Sequence, residues 1–396
     1  MADVSFERAI EFARDLIRIP SAPGAEDAVA TRLRLELERL RFDEVWTDEA
    51  GNIGGIVRGR GGAPPVMLNC HLDVVDPGDA AEWAHPPYGA ELADGFLHGR
   101  GAMDIKGPLA LQTYAAARFV GAPADGDIVV AHTVLEERGG WGMAHLLESG
   151  RVRPAVVVIG EATNGDVCIG HRGRAELIVE VGGVAGHASA PERARNALDL
   201  LPHVLPALEE FAAALPSDDV LGRSTLVATG IDVSPTSPNV IPDRAAITLD
   251  WRVLPSMSAE SVLEELRRHL GSRVRVMEGW RLGVRFGRER QRTYTGMEQE
   301  RRLFTPGFLL QPGHPVVRAA VDAVARSTGR APAVRPWTFA TDGGHSCGVH
   351  GIPTVGFAPG EERYAHTNRE RLAVEPARRA FAAYPDLIRA VMSAAA

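Results

Sequence analysis

The chain has 396 residues, is 45% apolar and 24% charged, and carries a formal net charge of −8. That length exceeds one ordinary core and predicts two domains of a globular protein. With no basic stripe and no apolar run near the roughly 20 residues that span a bilayer, nucleic acid and membrane are excluded as partners.

In chain order, helical periodicity covers Phe6–Ile17 and Glu26–Leu40. The first of these carries Asp3, Glu7, Arg8 and Glu11 in or beside it, unlike a signal-peptide core, so a cytoplasmic location is expected. Apolar strands are predicted at Val66–Cys70, Ile128–Val134 and Ala155–Ile159, with helices near Met103–Val120 and Gly140–Glu148 between them. This alternation predicts an α/β fold with a mixed sheet and several parallel strands. After Gly170-His-Arg-Gly173 the pattern changes. Strands are expected at Ala175–Gly182, Thr225–Val233 and Ala245–Val253, and helices at Arg193–Leu215 and Ala259–Leu270, with Arg273–Met277 as a further strand. Two helices on an antiparallel sheet make an inserted α+β unit of ferredoxin-like proportions. Arg281–Pro312 reads as the return connection, followed by a helix from His314, a strand at Pro353–Phe357 and a last helix to about Val391. The expected division is 1–174 with 295–396 for one domain and 175–294 for the inserted one.

Polar residues punctuate the ends of the apolar runs. His71 and Asp73 leave the Val66–Cys70 strand on one face, a spacing suited to a metal ligand and a carboxylate that orients its ring. Asp104 sits in Gly99-Arg-Gly-Ala-Met-Asp-Ile-Lys-Gly107, Glu136 and Glu137 follow the second strand, Glu161 follows the third, and His366 lies in Ala-His-Thr-Asn-Arg-Glu370. In open α/β sheets ligands gather beyond the carboxyl ends of strands. Mixed imidazole and carboxylate donors suit zinc, with manganese or cobalt as alternatives. Five ligands, His71, Asp104, Glu137, Glu161 and His366, serve two cations if Asp104 bridges them. Two divalent ions, three carboxylates and one bridging hydroxide sum to a neutral set, and Glu136 is left over as general base. Singly, the acidic pair reads equally as a solvated helix start and Glu161 as a helix N-terminal carboxylate. Cys70, Cys168 and Cys347 show no paired spacing, so neither a disulfide framework nor a cysteine-rich zinc site is expected. Lys106 is the only lysine in the chain. Coding bias explains the arginine excess, while its place inside Met-Asp-Ile-Lys-Gly hints that arginine does not fit there.

The order H-x-D, G-R-G-A-M-D-x-K-G, E-E, G-E-A-T and H-T-x-x-E resembles the M20 metallopeptidase family, over almost the whole chain. Its members include succinyl-diaminopimelate desuccinylase, acetylornithine deacetylase, aminoacylase-1 and glutamate carboxypeptidase. The resemblance implies one zinc on His71, Asp104 and Glu161 and another on Asp104, Glu137 and His366. It also implies Asp73 as the group orienting His71, Glu136 as the base, and a cis peptide after Asp104. Glu at position 161 matches deacylases and carboxypeptidases, where di- and tripeptidases often have Asp. Gly160–Asn164, His187–Arg193 and Trp337–Thr341 resemble a YgeY-like branch.

By the same resemblance, His187 in Gly-His-Ala-Ser reaches across a homodimer interface to polarise the scissile carbonyl. Asn239 and Arg252 match substrate contacts. Arg252 could grip a carboxylate with two hydrogen bonds or serve as a strand-face ion-pair partner. Arg172 is a further carboxylate contact, and Thr341 a pocket residue. Relatives carry Gly-Gly-Thr-Asp-Ala-Arg where this chain has Phe339-Ala-Thr-Asp-Gly-Gly-His-Ser346, which implies a reshaped pocket, with His345 and His350 as extra imidazoles. The expected protein is a homodimeric two-metal amidohydrolase that cleaves an N-acyl amino acid or small peptide bearing a carboxylate. A metal-bridging hydroxide would attack, and Glu136 would carry the proton. An amino- or dipeptidase, or a hydrolase of a non-peptidic C–N bond such as a ureide or aryl amine, are the alternatives.

Overall fold

A computed structural model describes residues 3–396 and divides into two units. Unit 1 holds the described residues up to 171 with 291–299 and 309–396, and unit 2 holds 172–290 and 300–308. Unit 1 is built on an eight-stranded mixed sheet. Its strands are β1 (Glu44–Thr47), β2 (Ile53–Val57), β3 (Val66–His71), β4 (Ile128–Thr133), β5 (Val156–Ile159), β6 (Val167–Cys168), β11 (Val334–Arg335) and β12 (Thr354–Gly356), in the order β1-β2-β4-β3-β5-β12-β6-β11. The central strands β4, β3, β5 and β12 run parallel. Every residue of β3, β4 and β5 is buried, as a strand covered on both faces requires. Helices α1 (Phe6–Ile17), α2 (Asp27–Arg39), α3 (Lys106–Ala117), α4 (Trp141–Glu148), α7 (Pro315–Thr328) and α8 (Val374–Ala394) complete the unit. Helix α3 is buried along its whole length and packs on α1, α8, β3 and β4. Its first residue, Lys106, is fully buried, and its ammonium donates to the Ile19 carbonyl at 2.6 Å. The helix starts three residues later than periodicity predicts, and the Met103 and Asp104 amides before it donate to the Glu370 carboxylate.

Unit 2 is a four-stranded antiparallel sheet, β7 (Gly173–Gly182), β8 (Thr225–Ser234), β9 (Arg244–Val253) and β10 (Arg281–Phe286), in the order β8-β9-β7-β10, with Phe304–Thr305 added beside β7. With α5 (Leu201–Ala214) and α6 (Ala259–Arg273) it has the βαββαβ order and strand arrangement of ferredoxin-like units. Alternate residues of β7 and β9, Leu177, Val179, Ile247, Leu249 and Trp251 among them, form its core with both helices. Fully burying such a side chain contributes about 1.5–3 kcal/mol. Trp251 stacks edge-on to Phe211, and its indole N–H is satisfied by Ser224 Oγ at 2.9 Å.

Three elements differ from their sequence pattern. The fourth strand of unit 2 is Arg281–Phe286, whereas α6 runs on to Arg273 and no strand forms at Arg273–Met277. Leu282, Val284 and Phe286 alternate with Arg281, Gly283 and Arg285, a strand signal masked by an arginine- and glycine-rich composition. Helix α5 begins only at Leu201, with Pro202 in its first turn, because the Asn196 side chain restarts the chain in a short turn before it. The supposed return connection contains a paired hairpin, Arg288–Arg292 with Glu298–Arg302. Among the described residues no helix is long and apolar enough to cross a membrane.

Candidate metal centre

Strands β3, β4 and β5 end side by side, and the loops that leave them carry the polar groups. His71 is the last residue of β3 and is 2% exposed. Its Nδ1 lies 2.7 Å from the Asp73 backbone oxygen. A carbonyl only accepts, so Nδ1 holds a proton and Nε2 is the ring atom turned to the carboxylates. That Nε2 faces Asp104 Oδ1 at 3.2 Å and Glu161 Oε1 at 3.3 Å. The second Asp104 oxygen, Oδ2, lies 3.2 Å from His366 Nε2, which also meets Glu137 Oε1 at 3.0 Å. Asp104 is therefore flanked by an imidazole on each oxygen. Its peptide bond to Ile105 is cis. His366 takes a left-handed backbone conformation, φ 59°. Gly160 lets the chain turn directly over the core before Glu161, since a Cβ there would stand 2.3 Å from Cys70 Sγ.

Glu136 and Glu137 sit on a single turn, Glu136–Arg138, between β4 and α4. That turn is fastened from five distant places. Asn52 accepts from the Val134 amide at 3.0 Å, and Glu26 from Leu135 at 3.2 Å. The two oxygens of Asp73 accept from Glu136 at 3.1 Å and Glu137 at 3.0 Å. Gln291 donates to the Arg138 carbonyl at 2.6 Å and His345 to that of Gly139 at 3.0 Å. Gly140 closes the turn at φ 73°, where a Cβ would press on Asp342 Oδ1 at 2.8 Å. Asp73 thus differs from its expected contact. Its backbone carbonyl holds the His71 ring, while its carboxylate stands 3.6 Å from Nδ1 and holds the acidic turn instead. Glu26 was legible only as the start of a helix, and His345 only as a departure from the family motif.

These groups enclose a cavity of about 190 Å³, lined by His71, His366, Asp104, Glu136, Glu137 and Glu161 together with Phe339, Ala340 and Ala365. None of the described residues lining it is a lysine or arginine. Donor atoms of His71, Glu136 and Glu161 lie within 4.8 Å of one another, as do those of His71, Asp104 and Glu137. The first grouping includes Glu136, and the direct contacts favour Asp104 in that place. Burial pushes Glu161 up to about 7, with Asp104 repelling its charge and His71 opposing the shift. Burial also pushes Glu136 well up, opposed by His71 and reinforced by Glu161, Asp342 and Glu137. Hydrogen bonds to Asp104 and Glu137 raise His366 to about 10. Only two imidazoles stand against these four crowded carboxylates. Two donors about 2.0–2.1 Å from a tetrahedral zinc stand about 3.3 Å apart, close to the separations found here. The donor set fits divalent cations.

Thr341 is 1% exposed, accepts from Gly343 at 3.1 Å, and offers its amide to His171 Nε2 at 3.0 Å, one residue beyond the cavity wall. The other sites expected on the substrate side belong to unit 2. His187 is exposed, and its Nδ1 bonds Ser189 Oγ at 2.7 Å. Asn239 Oδ1 accepts from Ser237 Oγ at 2.6 Å. Arg252 pairs with Asp250 at 2.8 Å, and Arg172 donates to the Arg223 carbonyl at 2.6 Å.

Residues 67–390 match the family described as Peptidase family M20/M25/M40. The uncharacterized protein YgeY of Escherichia coli strain K12 is 33% identical over 91% of this chain and 88% of its own. A succinyl-diaminopimelate desuccinylase of Methylorubrum populi is 32% identical over 96% of this chain and 97% of its own. The solved structure of Bacillus subtilis YXEP, described as a dinuclear metal binding peptidase from the M20 family, superposes with a TM-score of 0.70 at 16% identity, covering 98% of each chain. Fold, donor set and relatives together define a metal-dependent hydrolase acting on amide or peptide bonds. The chain belongs to the M20/M25/M40 peptidase family, with a YgeY-like branch as its neighbourhood.

Proposed function

We propose that the protein is a two-cation amidohydrolase that removes an acyl group from an N-acyl amino acid or cleaves a small peptide carrying a carboxylate. The observation that carries this reading is Asp104, whose two oxygens each face a separate imidazole at 3.2 Å. His71, Asp104 and Glu161 would hold one ion and Asp104, Glu137 and His366 the other, with zinc favoured by the nitrogen and oxygen donors and cobalt or manganese as substitutes. Bound there, two cations would supply Lewis acidity for the scissile carbonyl and for an attacking water. Glu136, within 4.8 Å of the His71 and Glu161 donors, would take a proton from an attacking water and return it to the departing nitrogen. Asp73 serves this step by fixing the amides of residues 136 and 137, and Thr341 by holding the loop that presents Phe339 and Ala340.

On this reading unit 2 acts as lid and dimerisation domain of a cytoplasmic homodimer. His187 stabilises the developing oxyanion, and Arg252, Asn239 and Arg172 recognise the substrate carboxylate. The desuccinylase relative and Glu161 support a deacylase. A panel of N-acetyl and N-succinyl amino acids and dipeptides, offered to metal-supplemented protein and read by amine release, tests it. Hydrolysis of the acylated amino acids without any requirement for a free α-amine is expected. Cleavage restricted to peptides with that amine would make it an amino- or dipeptidase, and turnover of ureides or aryl amides alone would make it neither.

A further inference from the structure

Glu370 lies four residues beyond His366 and is 1% exposed. One of its oxygens accepts the amides of Met103 and Asp104 at 3.2 and 3.1 Å, and the other accepts from the Arg100 guanidinium at 2.5 Å. Arg100 is itself 2% exposed and lies over the Trp83 ring at 5.1 Å. The Gly99 amide donates to the Glu370 backbone oxygen at 3.3 Å. A closed ring results. The Asp104 carboxylate meets the His366 imidazole, the chain runs from 366 to 370, and the Glu370 carboxylate returns to the Asp104 amide.

Residues 99–105 form neither helix nor strand, so their buried amides have no ladder to join and need acceptors from elsewhere. A carboxylate that takes two amides and a guanidinium uses three of its roughly four lone-pair sites and is costly to move. His366, by contrast, is 53% exposed on a loop. We infer that the Arg100–Glu370 pair is a positioning device that fixes Asp104 against His366, so that this half of the centre is formed before any cation arrives. This inference rests on the reading that Asp104 and His366 are ligands. Neither Arg100 nor Glu370 touches the cavity, and both act through Asp104.

Hydrogen exchange on the metal-free wild type tests it first. The Met103 and Asp104 amides are expected to exchange slowly, at rates like those of neighbouring helix α3. Free exchange without metal and protection only after cobalt(II) is added would overturn the inference. Glu370→Gln provides the second test, by cobalt(II) titration of the folded metal-free protein. The affinity of at least one of the two bound ions is expected to fall at least tenfold, roughly 1.4 kcal/mol, since Asp104 would serve both. A lower melting temperature with both affinities unchanged means a merely structural pair and also overturns it. Should that variant not fold, the exchange measurement decides. Fewer than two ions bound by wild type would sink the two-cation reading instead, and exchange would still judge the ring.

Discussion

On the sheet face of unit 2 turned away from its helices, Glu180 accepts from Arg244 at 2.8 Å and Arg285 at 3.3 Å, and Asp250 lies between Arg174 at 2.6 Å and Arg252 at 2.8 Å. At the cavity of unit 1, four carboxylates meet two imidazoles and no guanidinium. Arg244 holds Glu180 below its ordinary range, whereas burial lifts Glu161 and Glu136 above theirs. Arginine is abundant in this chain, so its exclusion from one acidic cluster is informative. Where the fold supplies guanidinium the carboxylates are paired and stay ionised, and where it withholds them the deficit is one that divalent ions can fill.

The largest effect is expected from Glu136→Gln. Turnover should fall about 10²–10⁴-fold, the usual contribution of a positioned base, with bound metal near the wild-type amount by elemental analysis. Unchanged turnover would remove Glu136 from the mechanism. Next, chelation should abolish activity and lower the melting temperature, since an ion at 100 times its dissociation constant stabilises by about 2.7 kcal/mol. If melting does not move, the cavity carboxylates tolerate one another without cations and the contrast with unit 2 fails.

A third expectation concerns pH. Glu161 rises from 4.5 to about 7 on folding and His366 from 6.5 to about 10. In the metal-free protein the folded state therefore binds more protons than the unfolded chain between about pH 4.5 and 10. Its stability falls as pH rises through that window. Cations compete with those protons and bind more tightly as pH rises. The gap in melting temperature between loaded and metal-free protein should thus widen from pH 5 to pH 8, and a constant or narrowing gap would contradict it. The smallest effect belongs to Arg252→Ala. Its ion pair is partly exposed, so stability should change by less than about 1 kcal/mol. A raised KM for carboxylate substrates with stability intact would assign Arg252 to recognition, and no change in KM would leave it as a partner of Asp250 alone.

Much of unit 1 could be read in advance, because its buried strands are short β-branched runs and its polar residues fall at their ends. Val66–His71 and Ile128–Thr133 show this plainly. The five donors were named by motif and stand together. What holds them was not legible. Glu26 and Asn52 act more than eighty residues away in sequence, and Glu370 acts across 266. Such contacts leave no local periodicity. Asp73 was assigned by its spacing to the neighbouring imidazole, yet a backbone carbonyl reaches that ring sooner and frees the carboxylate for the acidic turn. The last strand of unit 2 was hidden because composition outweighed alternation.

Lys106 has a practical consequence. An endoprotease specific for lysine finds one target in this chain, fully buried at the start of α3. Cleavage into the two fragments that meet there would report opening of the α/β core and leave surface loops silent, a built-in clock for unfolding with or without bound ions.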